Sequence, residues 1–96
     1  MRLQQDEIET IKKVIKDYFG KCEIILFGSR IKNTKKGGDI DLFVIPENRE
    51  NLFEKKLSAS AKLENILFKP VDIVVHYDFN RNIEQQAMKG VKLCAE

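Results

Sequence analysis

A single stretch from Leu26 to Ile45 limits what this chain of 96 residues can fold into. The end of an apolar run is followed by Gly28 and Ser29, then by a basic loop that ends in two glycines. Asp39 and Asp41 then open a second apolar run. Alternate side chains of a strand point to the same face, so the two aspartates are predicted to project together. Paired carboxylates at the start of a buried strand are costly unless a cation lies between them. A divalent metal that carries a polyphosphate would meet this need.

The turn after the first apolar run has the residue types of a phosphate site. Gly28 has no Cβ, which lets backbone N–H groups approach a phosphate closely. Ser29 can donate its hydroxyl to a β- or γ-phosphate oxygen, and a helix that starts here offers free N–H groups. Arg30 and Lys32 can add charge-assisted contacts to a triphosphate. These residues are therefore the predicted nucleotide-binding set.

Three segments together resemble a known signature. They are Phe27-Gly28-Ser29-Arg30, Asp39-Ile40-Asp41-Leu42 and Val71-Asp72-Ile73-Val74-Val75. Gly-Ser followed by Asp-x-Asp resembles the nucleotidyltransferase signature of the DNA polymerase β superfamily, and Val71 to Val75 looks like that family's third-carboxylate strand. The closest form looks like the minimal nucleotidyltransferases (MNT), which are often paired with a HEPN-domain toxin.

The resemblance implies a fold, a reaction and a partner. The fold would be a polymerase β-like α/β domain over residues 1–96, a small mixed sheet with helices packed on it. The reaction would transfer AMP from ATP, or another nucleotide, to a hydroxyl of a HEPN toxin, with this chain as the antitoxin. Two Mg²⁺ ions would be held by Asp39 and Asp41, and Asp72 would complete the site of one ion. The loop before Asp39 is one residue shorter than is usual in the family, and Gly38 stands where a serine is common.

Composition narrows the class of protein. The formal charge is only +2, with 43% hydrophobic and 33% charged residues, as in a globular domain with no strong overall attraction to nucleic acid. No apolar run approaches the length of a membrane span, and the N-terminus lacks a signal-peptide core. Cys22 and Cys94 are too few for a disulfide framework or a zinc site. The expected location is the cytoplasm, with no membrane partner.

Hydrophobic spacing and turn residues predict the order of elements. Apolar residues recur at helical spacing in about Asp6 to Phe19 and, less regularly, in Asn48 to Phe68, whereas short apolar runs indicate strands. Gly20 is expected in a left-handed conformation after the first helix. The predicted elements are helices at about Asp6 to Phe19, Asn48 to Phe68 and a short one capped by Asn80 or Asn82, a turn at Ser29 to Lys32, and strands at Cys22 to Phe27, Asp39 to Ile45, Val71 to Tyr77 and Val91 to Ala95.

Two other functions stay open at this point. A non-catalytic antitoxin or nucleotide-binding module could neutralise a partner by covering its surface, although a pure binder has no need of three clustered acids. A small RNA- or DNA-binding module is suggested by the basic loop, but that loop has no aromatic residues for base stacking. The sequence identifies neither the base, nor the acceptor, nor the oligomeric state, and a homodimer through exposed helix faces is an alternative.

Several residues also have simple structural interpretations. Asp39, Asp41 and Asp72 could be solvated residues at strand starts, and Gly28-Ser29 an ordinary turn. His76 shares a strand face with Asp72, but a partly buried structural imidazole is the favoured interpretation. The aromatic side chains of Tyr18, Phe19, Phe53 and Phe68 are expected to pack in the core or an interface.

Overall fold

The computed structural model describes residues 4–28 and 40–94. Three helices and four strands alternate along these two ranges. They are α1 (Gln5–Phe19), β1 (Cys22–Phe27), β2 (Ile40–Pro46), α2 (Leu52–Leu67), β3 (Val71–Val75), α3 (Asn82–Ala87) and β4 (Val91–Cys94). The predicted turn at Ser29 to Lys32 lies outside the described residues.

The strands form one mixed sheet in the order β3-β2-β1-β4. β1 is antiparallel to both β2 and β4, whereas β2 and β3 are parallel. The parallel pair is connected by α2, as a parallel connection requires a crossover. The predicted mixed α/β fold is therefore confirmed.

The two faces of the sheet carry separate apolar clusters. One face packs against α1 and α2, and its core includes Ile15, Ile24, Leu42, Leu63 and Ile73. The opposite face is smaller and contains Ile25, Phe27, Phe43 and Ala87, the last from α3. Since side chains alternate along a strand, Asp41 and Asp72 belong to this second face.

The ends of the elements differ slightly from the sequence predictions. α2 begins at Leu52 and not near Asn48, and neither Asn80 nor Asn82 caps α3, whose N-cap position is Arg81 without a side-chain cap. Gly20 has a positive φ, +76°, but its ψ of −143° lies outside the left-handed helical region that the sequence predicts. No helix within the two described ranges is long and apolar enough to cross a membrane.

The aromatic residues divide between core and surface. Phe19 is buried, and Tyr18 packs against the larger cluster. Phe53 and Phe68 are instead 69% and 88% exposed, so they do not pack in the core, and the interface alternative stays a prediction for them. Both lie at the ends of α2, where the apolar pattern is irregular and the sheet gives no cover.

Candidate functional site

The candidate site lies at one end of the sheet, where β1 ends and β2 and β3 begin. β2 is the central strand of the three, and its Asp41 is opposite Phe27 of β1 and in register with Asp72 of β3. Neighbouring strands are about 4.8 Å apart, so the two aspartates are adjacent on one face. Asp41 is half-buried and Asp72 is exposed. This end of the sheet therefore carries two carboxylates side by side, and both are at least partly accessible to solvent.

The turn from α2 into β3 positions Asp72. The N–H of Val71 donates to Glu64 Oε2 at 2.9 Å, and the N–H of Ile40 donates to the carbonyl of Pro70 at 2.9 Å. Lys69 also bridges to Glu7 of α1, with 3.1 Å between Nζ and Oε2. These bonds hold residues 69–71, just before Asp72, to α1, α2 and β2. They fix the register that brings Asp72 beside Asp41.

Gly28 packs directly against the Asp41 carboxylate. Its φ is +81°, a conformation that residues with a Cβ rarely adopt. A Cβ built on Gly28 would overlap Oδ2 of Asp41. Only glycine therefore lets the chain leave β1 this close to the carboxylate.

We expect Gly28→Ala to impair the site more than the fold. The added methyl would push Asp41 out of place, and a displacement of about 1 Å at a reacting centre can cost about 100-fold in rate. Gly20→Ala is a matched control, because Gly20 has a similar φ of +76° but nothing within 4 Å of the built Cβ. Both variants should lose about 1–3 kcal/mol of stability from backbone strain.

Nucleotide transfer and thermal unfolding, measured on both alanine variants, separate the two effects. Similar losses of stability with about 100-fold slower transfer only in Gly28→Ala are the expected result. Equal activities of the two variants would show that the contact between Gly28 and Asp41 does not matter.

The structure covers part of the predicted site. Gly28, Asp41 and Asp72 are described, and they lie together at one end of the sheet. This is where β1 ends and where β2 and β3 begin. The remaining predicted residues, Ser29, Arg30, Lys32 and Asp39, lie outside the described ranges. Within residues 4–28 and 40–94, no group of three or more His, Cys, Asp or Glu side chains could hold a metal ion.

A second polar cluster surrounds Glu84, a residue that the sequence analysis did not identify. Glu84 is fully buried in α3. Oε1 contacts His76 Nδ1 at 2.7 Å, and Oε2 accepts from the N–H groups of Tyr77 and Asp78 at 2.7 and 2.8 Å. Arg81 Nε donates to the same oxygen at 3.0 Å. One carboxylate thus organises the whole segment between β3 and α3.

Hydrogen bonds outweigh burial in setting the pKa of Glu84. Burial by itself would raise the pKa of this carboxyl group, but the hydrogen bonds from His76, Asp78 and Tyr77 and the charge of His76 lower the pKa to about 2. Glu84 shares the buried side of α3 with Ala87, three residues later. The sequence signal for this cluster was a glutamate placed three residues before Ala87, on the side of α3 that faces the sheet, and eight residues after the chain's one histidine.

His76 has a structural environment, as the favoured interpretation predicted. Its ring stacks on Phe79 with centroids 3.8 Å apart and meets Phe43 edge-on at 6.4 Å. Its side chain is only 19% exposed. These contacts use His76 to close the smaller apolar cluster.

Comparison with known families agrees with the fold. The family model described as "Polymerase beta, Nucleotidyltransferase" matches residues 9–96. The chain therefore belongs to the polymerase β nucleotidyltransferase family and is an enzyme of the nucleotidyltransferase class. No curated protein matches it by sequence.

Solved structures of toxin–antitoxin complexes have the same fold. A chain in the complex of a tri-AMPylated Shewanella oneidensis HEPN toxin with MNT antitoxin is 26% identical, with 98% of this chain and 74% of that chain covered and a TM-score of 0.75. A mutant MntA–HpeT complex with two Asp→Glu substitutions is 25% identical, with 93% and 73% covered and a TM-score of 0.77. A toxin–antitoxin structure with AMP-PNP is 24% identical, with 98% and 75% covered and a TM-score of 0.76. The structural neighbours of this chain are thus MNT–HEPN complexes.

Proposed function

We propose that this chain is a Mg²⁺-dependent adenylyltransferase that moves AMP from ATP to a hydroxyl of a HEPN toxin and so acts as an antitoxin. The observation that carries the proposal is the register of Asp41 with Asp72 beside Gly28. A carboxylate pair next to a turn without a Cβ suits a triphosphate that is bound together with metal ions. Family membership supplies the reaction class.

The donor set fits Mg²⁺. This ion prefers hard oxygen ligands and keeps several waters, so a few carboxylates and the phosphates suffice. We assign Asp39 and Asp41 to both of two ions and Asp72 to one of them. Asp39 lies outside the described residues, and the alternation of strand side chains predicts that it projects to the same side as Asp41. When bound, the ions would neutralise charge on the phosphate oxygens and acidify the acceptor hydroxyl.

The chain's own residues then align the reactants. The acceptor oxygen forms a bond to the α-phosphorus, the bond to the bridging oxygen of the β-phosphate breaks, and pyrophosphate leaves. Asp72 is exposed at the edge of the site, where it can receive the proton of the acceptor hydroxyl. Gly28 and Ser29 hold the phosphate tail, and Arg30 and Lys32 balance its charge.

Residues of the basic loop are expected to differ in importance. Ser29 follows Gly28 directly in the sequence, where its hydroxyl would contact phosphate, whereas Lys36 is eight residues after Gly28 and would mainly attract ATP. Ser29→Ala should therefore lower kcat/KM for ATP by about 10-fold or more, because a phosphate hydrogen bond is lost. Lys36→Ala should have a smaller effect that fades at high salt. Equal losses in the two variants would refute this ranking.

The partner follows from the similar structures. One of them contains an AMPylated HEPN toxin with an MNT antitoxin, and another contains AMP-PNP. This small domain has four strands and three helices in its described part, most of which form the sheet and its cover. We therefore infer that acceptor recognition comes from a protein partner in the cytoplasm, where ATP and Mg²⁺ are present.

Incubation with α-labelled ATP, Mg²⁺ and the protein encoded by the adjacent gene tests the proposal. We expect label on that protein with wild type and none with the double variant Asp39→Asn, Asp41→Asn. If the double variant still neutralises the toxin as well as wild type does, the chain acts by complex formation and not by catalysis. Absence of label with wild type would contradict the enzymatic role.

A further inference from the structure

A groove lies at the other end of β3 from the carboxylates. Its volume is about 410 Å³, and it is formed by the start of α2, the end of β3 and the segment that leads into α3. We call it the β3 groove and define it by six of its lining residues: Arg49, Phe53, Lys56, Tyr77, Arg81 and Ile83.

The groove exposes large apolar side chains. Phe53 is 69% exposed, Tyr77 75% and Ile83 43%. Leu52, Val74 and Val75 extend the apolar lining below them. Contact with a partner would remove these apolar side chains from water, which is favourable.

The charges around the groove are all of one sign. Its lining residues include Arg49, Lys56 and Arg81, and no acidic side chain lines it in the described part of the chain. Arg49 donates to the carbonyl of His76 at 2.6 Å, and Arg81 lies 5.7 Å from the centre of the Tyr77 ring. Lys56 has no hydrogen bond or ion pair within the described ranges. Arg81 is already paired with Glu84, so the positive charge left for a partner comes from Arg49 and Lys56. A complementary surface would therefore combine carboxylates with apolar groups.

One wall of the groove is held in place before anything binds. Glu84 fixes the N–H groups of Tyr77 and Asp78 and the guanidinium of Arg81. Arg49 binds the end of β3 from the other side through the His76 carbonyl. A prearranged surface loses little conformational entropy on association, which favours tight docking.

The location of the groove suits a partner that also reaches the carboxylates. Asp72 lies near the start of β3 and His76 just after its end. Four residues of extended chain separate them by about 13 Å. A protein that covers the groove could place a hydroxyl beside Asp72.

We propose that the β3 groove is the docking site for an acidic, apolar segment of the protein that receives AMP. This inference rests on the proposed function for the identity of that protein. Protein is favoured over nucleic acid because the lining is largely apolar and the net charge is only +2.

A pair of double variants of the full chain tests the docking site. The groove variant is Phe53→Ala, Lys56→Glu. The control is Phe68→Ala, Lys62→Glu, which changes the same residue types on α2 and at its end, outside the groove. Both phenylalanines are exposed, so neither change opens a cavity in the core. The readouts are Kd for the protein encoded by the adjacent gene, KM and kcat of label transfer, and the rise of Tm with ATP and Mg²⁺.

We expect the groove variant to raise Kd and KM for that protein by about 10-fold or more, because it loses an aromatic contact and reverses a charge. Its kcat at saturating partner and its response to ATP should equal those of the control. Equal Kd values for the two double variants, or no binding by wild type, would overturn the docking site. The proposed function would still stand in that case if wild type transfers the label. Loss of binding only in the groove variant, without transfer by wild type, would support the docking site and reject the enzyme.

Fluorescein-labelled single-stranded RNA and the molar mass of the chain in solution complete the experiment. RNA binding that only the groove variant loses, with Kd for the partner unchanged, would assign the groove to nucleic acid. A dimer that only the groove variant dissociates, again with unchanged Kd for the partner, would assign it to a second copy. Either result overturns the proposal.

Discussion

Replacing Asp41 by asparagine is expected to lower kcat/KM for AMP transfer by about 10³-fold. Asp41 lies at the centre of the site, against Gly28 and in register with Asp72. Asparagine keeps the shape of the side chain but removes a charge that is assigned to both metal ions, and several kcal/mol of transition-state stabilisation would be lost. Transfer of α-labelled ATP to the partner measures the effect.

The fold should tolerate this substitution. Like charges on adjacent strands repel each other, so removal of one carboxylate offsets part of what Asp41 contributes through its own contacts. The free energy of unfolding is expected to stay within about 1 kcal/mol of the wild-type value. Asp17→Asn is the control, since among the described residues Asp17 pairs only with Lys13, on the exposed side of α1 at 3.3 Å. Activity loss of equal size in both variants would reject the special role of Asp41.

Glu84→Gln is expected to cost about 3 kcal/mol of stability. The folded protein lowers the pKa of Glu84 from 4.5 to about 2, and one pH unit corresponds to about 1.4 kcal/mol. The amide would accept with one oxygen only and would turn its NH₂ group toward buried donors. Tm should fall by about 15 °C in a domain of this size. Glu50→Gln, at an exposed residue, should change stability by less than about 0.5 kcal/mol.

The same carboxylate predicts how stability depends on pH. A lowered pKa contributes its full stabilisation above about pH 4.5, and that contribution is lost as the pH falls toward about 2. Urea unfolding of wild type and Glu84→Gln should therefore differ by about 3 kcal/mol at neutral pH and converge near pH 2. A difference that does not depend on pH would show that the charge of Glu84 is not what stabilises the β3–α3 segment.

The sheet and the carboxylate pair could be predicted because strands carry a simple period. Alternation placed Asp41 on the face opposite Leu42 and Val44, and Asp72 opposite Ile73, as the structure has them. Family resemblance then supplied the strand pairing that brings Asp72 next to Asp41. The roles of these residues in the reaction remain predictions.

The Glu84 cluster and the β3 groove could not be predicted, since both depend on contacts between distant parts of the chain. Nothing local in the sequence shows that Glu84 would meet His76, or that Arg49 would reach the end of β3, 27 residues later. Phe53 has the same ambiguity, because an aromatic residue at the start of a helix is equally typical of a core and of an interface. Its exposure depends on how α2 packs on the sheet, which the local sequence does not determine.

The fate of the two ends of ATP tests the central claim most directly. The chain should be incubated with Mg²⁺ and the adjacent gene's product, once with ATP labelled at the α-phosphate and once with ATP labelled at the γ-phosphate. We predict that the α label becomes covalently attached to the partner, that the γ label is found in pyrophosphate, and that Asp41→Asn and Asp72→Asn each slow both strongly, Asp41→Asn by about 10³-fold. Attachment of the γ label, or α-label transfer at the wild-type rate in both variants, would contradict the account.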